Sequence, residues 1–259
     1  MEKLVVVKIG GNVIDDEAKL SSFLDDFACI KEKKILVHGG GKMATRIAEQ
    51  TGIPQQLIGG RRITDAETLK IIVMVYAGYI NKNIVAQLQA RNCNAFGLSG
   101  ADGNSIEAHK RTGSDIDYGF AGDIDRVNAT LLKNLFEQNI VPVFSPVTHD
   151  QKGVLLNTNA DTLAQEIAAA LSADLETTLI YCFEKSGVLM NADDDTSVIS
   201  KINTEAYIDL KDKNIIAAGM IPKLDNAFTA LNKGVKNIMI GKAGELPKLL
   251  SGNAGTAII

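Results

Sequence analysis

The chain lacks an excess of basic charge, and that removes a first class of partners. Lysine and arginine number 27 against 31 aspartate and glutamate, a net charge of −4, with an isoelectric point near 5.5. This balance disfavours a general binder of nucleic acid or of anionic membranes. Any phosphate chemistry must come from a local cluster of cations. Cysteine is also scarce. Cys29, Cys93 and Cys182 lie far apart, in no Cys-x-x-Cys or metal-like spacing, and read as buried thiols of a reduced compartment. Long apolar runs are missing: the longest, near Ile71–Ile80, is interrupted by Tyr76, Gly78 and Tyr79. A membrane span needs roughly 18 apolar residues. At the amino terminus only Leu4–Val7 precede Lys8 as an apolar run, too few for a secretory signal. No repeat, low-complexity tract or Pro/Ser-rich linker interrupts the sequence. The expectation is a cytoplasmic protein whose partners include neither nucleic acid nor membrane.

What the sequence does have is a sizeable core and two glycine clusters. Hydrophobic residues make up 46% of 259, and mean hydropathy is +0.06, enough for one large α/β domain or two small ones. Lys8-Ile9-Gly10-Gly11 and His38-Gly39-Gly40-Gly41 each follow a short apolar run, Leu4–Val7 and Ile35–Val37, that reads as a buried parallel strand. Glycines at the carboxyl end of such a strand let backbone N–H groups approach a ligand closely. Two such loops, one carrying a lysine, make an anion cradle.

Strand and helix patterns alternate through the rest. The periodicity predicts strands at Leu4–Ile9, Ile35–His38, Ala95–Leu98, Ile106–Ala108, Ile140–Phe144, Leu179–Cys182 and Asn237–Ile240, and a β-hairpin over Gln56–Ile63 around Gly59-Gly60. Helices are predicted at Glu17–Glu32, Gly41–Gln50, Asp65–Arg91, Ala129–Gln138, Asp161–Leu171, Thr204–Lys211 and Gly219–Asn232, with Thr64 or Asp65 capping the third. Such alternation implies an α/β fold, a three-layer αβα sandwich around an open, mainly parallel sheet. It reads as a single domain over residues 1–259, with two functional halves meeting near Asn139.

Three glycine motifs compete for His38–Ala44. A Walker A loop fails twice, because Met43 follows Gly41-Lys42 and position 36 is leucine. Gly39-x-Gly41-x-x-Ala44 fits the dinucleotide fingerprint, but it follows the second strand and no acidic residue stands at the expected distance of about 20 positions. A His-Gly-Gly-Gly oxyanion loop needs a Gly-x-Ser-x-Gly elbow, which the chain lacks.

Other pieces are Arg62-Ile63-Thr64, Asn81-Lys82, Gly97-Leu98-Ser99-Gly100, Gly119-Phe120-Ala121-Gly122-Asp123, Asn157-Thr158-Asn159-Ala160-Asp161, Gly219-Met220-Ile221-Pro222-Lys223 and Gly255-Thr256-Ala257-Ile258. Taken singly, Asn159 or Asp161 reads as a helix cap and Lys223 as a surface lysine. In this order and at these separations, together with the two glycine clusters, they resemble the amino-acid kinase family, and within it the acetylglutamate kinases of arginine biosynthesis. The resemblance runs nearly end to end. It implies transfer of the ATP γ-phosphoryl group to the γ-carboxylate of an N-acyl-glutamate, acetyl or succinyl. A nucleotide-sensing regulator on the same fold is the non-catalytic alternative.

The resemblance also implies roles. Lys8 and Lys223 match the lysines that hold the phosphates and stabilise the transferring group, and Asp161 the carboxylate that orients them. Gly10, Gly11, Gly40 and Gly41 supply backbone donors. Arg62 and Asn157, with Gly40 and Gly41, match the acyl-amino-acid site, which assigns about 1–139 to that substrate. About 140–259 is assigned to ATP, with Glu184, Lys185, Ser186, Gly187, Val188 and Leu189, then Ile215, Ile216 and Ala217, around base and ribose. Glu184-Lys185-Ser186-Gly187 departs from the commoner Asp-Val-x-Gly pattern. Mg²⁺ arrives on the ATP phosphates and water, with no protein ligand assigned. A glutamate side chain, with a pKa of about 4.3, needs no general base at neutral pH, so His38 reads as structural.

Ile71–Ala77 is apolar around the whole helix, which implies partial burial in a twofold homodimer. Arginine-inhibited relatives carry an additional amino-terminal helix; here the first strand starts close to Met1, so the expectation is a dimer insensitive to arginine. Arg61 stands beside the substrate-binding Arg62. Strand alternation points it to solvent; a hairpin that breaks alternation brings it to the acyl end, where a succinyl group carries a carboxylate and an acetyl group none.

Overall fold

The structure, a computed structural model, describes residues 1–58, 61–113, 115–216 and 219–259. By contacts the chain separates into two compact units, one built from Met1–Lys34 with Ala164–Ile259 and the other from Ile35–Leu163. The contact boundaries fall after Lys34 and after Leu163, whereas the functional halves expected from the sequence meet near Asn139. The first strand belongs with the carboxyl-terminal part of the chain.

In the discontinuous unit, Lys3–Ile9 pairs in parallel with Glu176–Phe183, which pairs in parallel with Asn237–Lys242. Thr256–Ile258 adds antiparallel to the last of these, and Lys201–Ile202 pairs in parallel with Thr256–Ile258. Leu4, Val6, Val7 and Ile9 are wholly buried, as expected of a strand covered on both faces. The helix expected over Glu17–Glu32 runs Glu17–Cys29, capped by Asp16 accepting from the Lys19 N–H at 3.1 Å. It stops early because Ile30 is extended and buried Lys34 donates through Nζ to the carbonyls of Phe27, Ala28 and Ile30 at 2.8–2.9 Å. A lysine near a helix carboxyl end satisfies orphan carbonyls and opposes the dipole. Cys29 is exposed, contrary to the expectation of three buried thiols.

In the continuous unit, Lys33–His38 pairs in parallel with Val141–Phe144, and that strand with Ala95–Leu98. A second sheet orders Leu155–Asn157, Val147–His149, Ile106–Lys110 and Gly122–Val127. Leu57–Ile58 and Arg61–Arg62 form the expected hairpin; its glycines Gly59 and Gly60 lie outside the described residues. Both units are α/β, and the main sheet is mostly parallel and flanked by helices, the class that the alternation implies.

The long helix runs Ala66–Gln89 and starts at Asp65, whose carboxylate accepts from the Thr68 N–H at 2.7 Å. Its middle, Val73–Ile80, is π-helical, a distortion that recurs at functional sites. By length and composition this helix would suffice to cross a membrane; in the structure Ile71, Ile72, Val75, Tyr76 and Ile80 are buried. Met74 and Tyr79 stay 59% and 62% exposed, so the unit covers only part of the apolar surface.

His38 ends its strand fully buried, with Nδ1 on the Gly39 carbonyl at 2.8 Å and Nε2 accepting from Asn81 Nδ2 at 3.1 Å. Asn81 also donates to the Val143 carbonyl at 2.9 Å. Burial pushes the imidazole pKa down to about 4, so the ring is neutral and structural in the folded protein. The unfolded chain takes up that proton near pH 6.5. Stability tied to His38 is complete above about pH 6.5 and is lost as pH falls toward 4. The loss reaches an order of 3 kcal/mol. Urea midpoints for the wild-type protein are expected to drop more between pH 7 and pH 4.5 than those for His38→Gln; equal drops would remove His38 from the acid response.

Candidate active site

A cavity of about 210 Å³ opens in the continuous unit, and the elements around it are arranged for an anion. Gly39, Gly40 and Gly41 line one side, at the amino end of helix Gly41–Gln50. Asn159 and Ala160 line another, at the amino end of helix Ala160–Leu171. Two helix amino termini thus present N–H groups and positive dipole ends to one space. Arg61, Arg62 and Arg111 add three guanidinium groups. An acidic protein has concentrated positive charge where the glycine loop ends.

Arg62 is buried and clamped. Its Nη2 donates to the Gly41 carbonyl at 3.0 Å and to Thr45 Oγ1 at 2.8 Å, and its Nη1 donates to Gln55 Oε1. Tyr76 of the π-helical segment borders the same cavity with its hydroxyl against Arg62. Burial raises the Tyr76 pKa, opposed by the charge and hydrogen bond of Arg62, so the hydroxyl stays neutral and accepts from the Arg62 guanidinium. The glycine at position 40 is required by close approach: a Cβ there would meet Ile80 Cδ1 at 2.4 Å and Tyr76 Cδ1 at 2.9 Å.

Asn157 is set by a short network. Its Nδ2 donates to Thr64 Oγ1 at 3.0 Å and its N–H to the Phe120 carbonyl at 2.8 Å, while Phe120 N–H donates to the Thr64 carbonyl at 2.6 Å. The next helix is capped by Asn159, whose Oδ1 accepts from the N–H groups of Asp161 and Thr162 at 2.9 and 3.0 Å. The Asp161 carboxylate, buried in the first helical turn, is therefore not the cap.

The discontinuous unit holds the other expected residues. Lys8 is 7% exposed near the end of its strand, level with Tyr181. It lies close enough to Cys182 to pull on that thiol, which burial nevertheless pushes up to about 12. Cys182 is inert as a nucleophile at that value. Gly10 precedes the turn Gly11–Ile14, and Lys223 sits half-buried in the first turn of helix Ile221–Asn232, with Pro222 beside it. That helix starts two residues later than the periodicity predicts.

Lys185, Gly187, Val188 and Leu189 meet Ile215 and Ile216 around a small cavity of about 80 Å³, which brings together two sequence segments expected to share a ligand. Ala217 lies outside the described residues. Glu184 does not line that cavity: it borders a separate, mostly apolar cleft of about 500 Å³ with Asn12, Phe183 and Lys242. Ser186 belongs to neither lining.

Sequence reasoning missed Tyr76 and Arg111. Arg111 donates through Nε to both Asp123 oxygens at 3.0 and 3.1 Å, and through Nη2 to Oδ1. The signal was Asp123 at the end of the Gly119–Asp123 motif, which needs a buried cation. Tyr76 carried none, because its aim depends on the π-helical register.

Comparison with known proteins bears on the same residues. Residues 3–242 match the profile of the Amino acid kinase family. The chain is 53% identical to the acetylglutamate kinase of Cytophaga hutchinsonii, over 100% of this chain and 99% of that protein. It is 54% identical to the acetylglutamate kinase of Bacteroides fragilis, over 95% and 94%. A solved structure, the carbamate kinase of Giardia lamblia bound to AMP-PNP, superposes with a TM-score of 0.72 at 16% identity, over 100% of this chain and 98% of that one. The last likeness is one of fold.

Proposed function

The chain belongs to the amino acid kinase family, and from that premise we propose that it transfers the γ-phosphoryl group of ATP to the γ-carboxylate of N-acetyl-L-glutamate, a step of arginine biosynthesis. The observation that carries this reading is the cavity where Arg61, Arg62 and Arg111 converge with two helix amino termini beside Asn157. A carboxylate oxygen attacks the γ-phosphorus, the bond to the bridging oxygen breaks, and ADP leaves with that electron pair. The acceptor is ionised at neutral pH, so no residue removes a proton. The chemistry asks instead for cations and N–H donors against the charge of two approaching anions.

In this reading Arg62 and Asn157 hold the acyl-amino acid, with Gly40 and Gly41 presenting amide groups to the reacting end. Lys8, Gly10, Gly11 and Lys223 serve the phosphates, and Asp161 orients the lysines. Lys185, Gly187–Leu189 and Ile215–Ile216 receive the base and ribose. Among the described residues no three His, Cys, Asp or Glu side chains gather to hold a metal. In this reading Mg²⁺ arrives on ATP oxygens and water, where it would offset phosphate charge. A biosynthetic kinase of such substrates works in the cytoplasm.

The test is ADP release from MgATP by the purified chain, with trapping of the acyl phosphate by hydroxylamine. Release that depends on N-acetyl-L-glutamate is the expected result. Nucleotide binding without acceptor-dependent release would favour the sensor instead. The exposed apolar side chains of Met74 and Tyr79, between buried neighbours on the π-helical segment, further support a twofold homodimer. Light scattering is expected to give the mass of two chains, and Tyr79→Glu to shift it toward one; a wild-type monomer would overturn the assembly.

A further inference from the structure

The proposed reaction uses one carboxylate of the acyl-glutamate as acceptor and leaves the α-carboxylate as the only other anion in the substrate. The cavity offers more positive charge than that. Arg62, clamped to Gly41, Thr45 and Gln55, suffices for the α-carboxylate. Arg111 is spent on Asp123 through a bidentate contact. Arg61 remains. It borders the cavity, yet among the described residues its guanidinium donates to no protein group.

Its position is not what strand alternation gives. Leu57 and Arg62 are cross-strand partners in the hairpin, as are Ile58 and Arg61, so Arg61 belongs to the opposite face. The strands are only two residues long, and both arginines border the cavity all the same. Arg61 lies close enough to the Arg111–Asp123 pair to help hold the Asp123 carboxylate in its charged form. An exposed arginine at a cavity rim, near a pair that is already neutral, is a vacant anion partner.

We propose that Arg61 forms a second carboxylate subsite and that the enzyme prefers an N-acyl-L-glutamate whose acyl group ends in a carboxylate, N-succinyl-L-glutamate, over the N-acetyl compound. The inference rests on the acyl-glutamate kinase reading above. An acetyl group ends in a methyl, which gives a guanidinium nothing to bind. A succinyl group adds two carbons and a carboxylate, which the rim can receive without entering the reacting end. One charge-assisted hydrogen bond of this kind is worth about tenfold or more in specificity.

The experiment compares kcat/KM for the two acyl-glutamates in the wild-type protein, Arg61→Leu and Arg61→Lys. The expected result is a preference for the succinyl substrate of about tenfold or more, carried mainly by KM. It should collapse in Arg61→Leu and return in part in Arg61→Lys, while KM for ATP stays near wild type and the succinyl substrate loses far more kcat/KM than the acetyl one. A merely structural arginine would shift both acyl substrates together. Preference for the acetyl substrate in the wild-type protein, or a succinyl preference that survives Arg61→Leu, would overturn the subsite while leaving the kinase reading intact. Turnover of neither substrate would overturn the kinase reading, and the subsite with it.

Discussion

Alanine at Lys8 or at Lys223 is expected to lower kcat by about a hundredfold or more, while KM for both substrates stays within a few fold. Each ammonium matters most when the γ-phosphoryl group is between its two oxygens and charge is moving. In the proposed reading Mg²⁺ and backbone N–H groups would share the ground-state phosphate charge, so deletion of one lysine is expected to remove little binding. A donor that acts mainly on the transition state contributes on the order of 3 kcal/mol. Lys8 is also buried, in surroundings where a charge is not screened by water. Arg62→Ala is expected to give the opposite pattern, a raised KM for the acyl-glutamate with KM for ATP unchanged, because in the proposed role a clamp on the non-reacting carboxylate binds substrate and transition state alike. A kcat near wild type in Lys8→Ala would remove that residue from phosphoryl transfer; a raised KM for ATP in Arg62→Ala would exchange the roles of the two groups.

Gly119→Ala is expected to destabilise the protein by on the order of 3 kcal/mol or more and to weaken acyl-glutamate binding as well. Gly119 has φ +66°, and a Cβ there would fall 2.1 Å from the Thr64 carbonyl oxygen and 2.8 Å from its carbon. Both are backbone atoms and cannot swing aside. Thr64 is bonded in turn to Tyr118, Phe120 and Asn157, and it joins the hairpin of Arg61 and Arg62 to the cap of the long helix. Pushing Thr64 away therefore moves Asn157, the proposed substrate ligand, and the hairpin together. Gly113→Ala is the control: its φ is +79°, and a methyl group there would meet nothing within 4 Å, so it carries the backbone strain alone, about 1 kcal/mol. Urea unfolding of the two variants separates the effects. Equal losses would show that Thr64 yields without cost.

The parts of this fold that could be read from the sequence are those where one local rule decides. Lys3–Ile9 and Lys33–His38 are built on the apolar runs Leu4–Val7 and Ile35–Val37 and are followed by glycine clusters, and Gly41–Gln50 begins where its glycine loop ends. The sheet of Ile106–Lys110 and Gly122–Val127 was legible only in its first strand, for a physical reason. Gly122–Val127 carries Asp123, Asp125 and Arg126, which pair across to Arg111, His109 and Glu107, so its pattern is one of charges rather than of apolar alternation. The two units were invisible because contact does not follow chain order: Lys3–Ile9 finds its partner at Glu176–Phe183. In the site, the glycines, Arg62 and Asn157 were legible through motifs. Arg61 was singled out with its aim left open between solvent and the cavity, since two-residue strands impose too little alternation to aim a long side chain. Asp161 was ambiguous until Asn159 proved to be the cap.

The discontinuity of the first unit sets a timetable for synthesis. Ile35–Leu163 is one uninterrupted stretch, so the ribosome completes everything that unit needs before making Glu176–Phe183, the neighbour of the first strand. A nascent chain long enough to hold the whole inner unit still lacks Glu176–Phe183, so the edge of Lys3–Ile9 that this strand covers has no partner yet. Such a strand is a hazard for association between neighbouring chains. Lys3 and Lys8 stand at either end of Leu4–Val7, the placement by which flanking charges oppose the pairing of an exposed apolar strand with another chain.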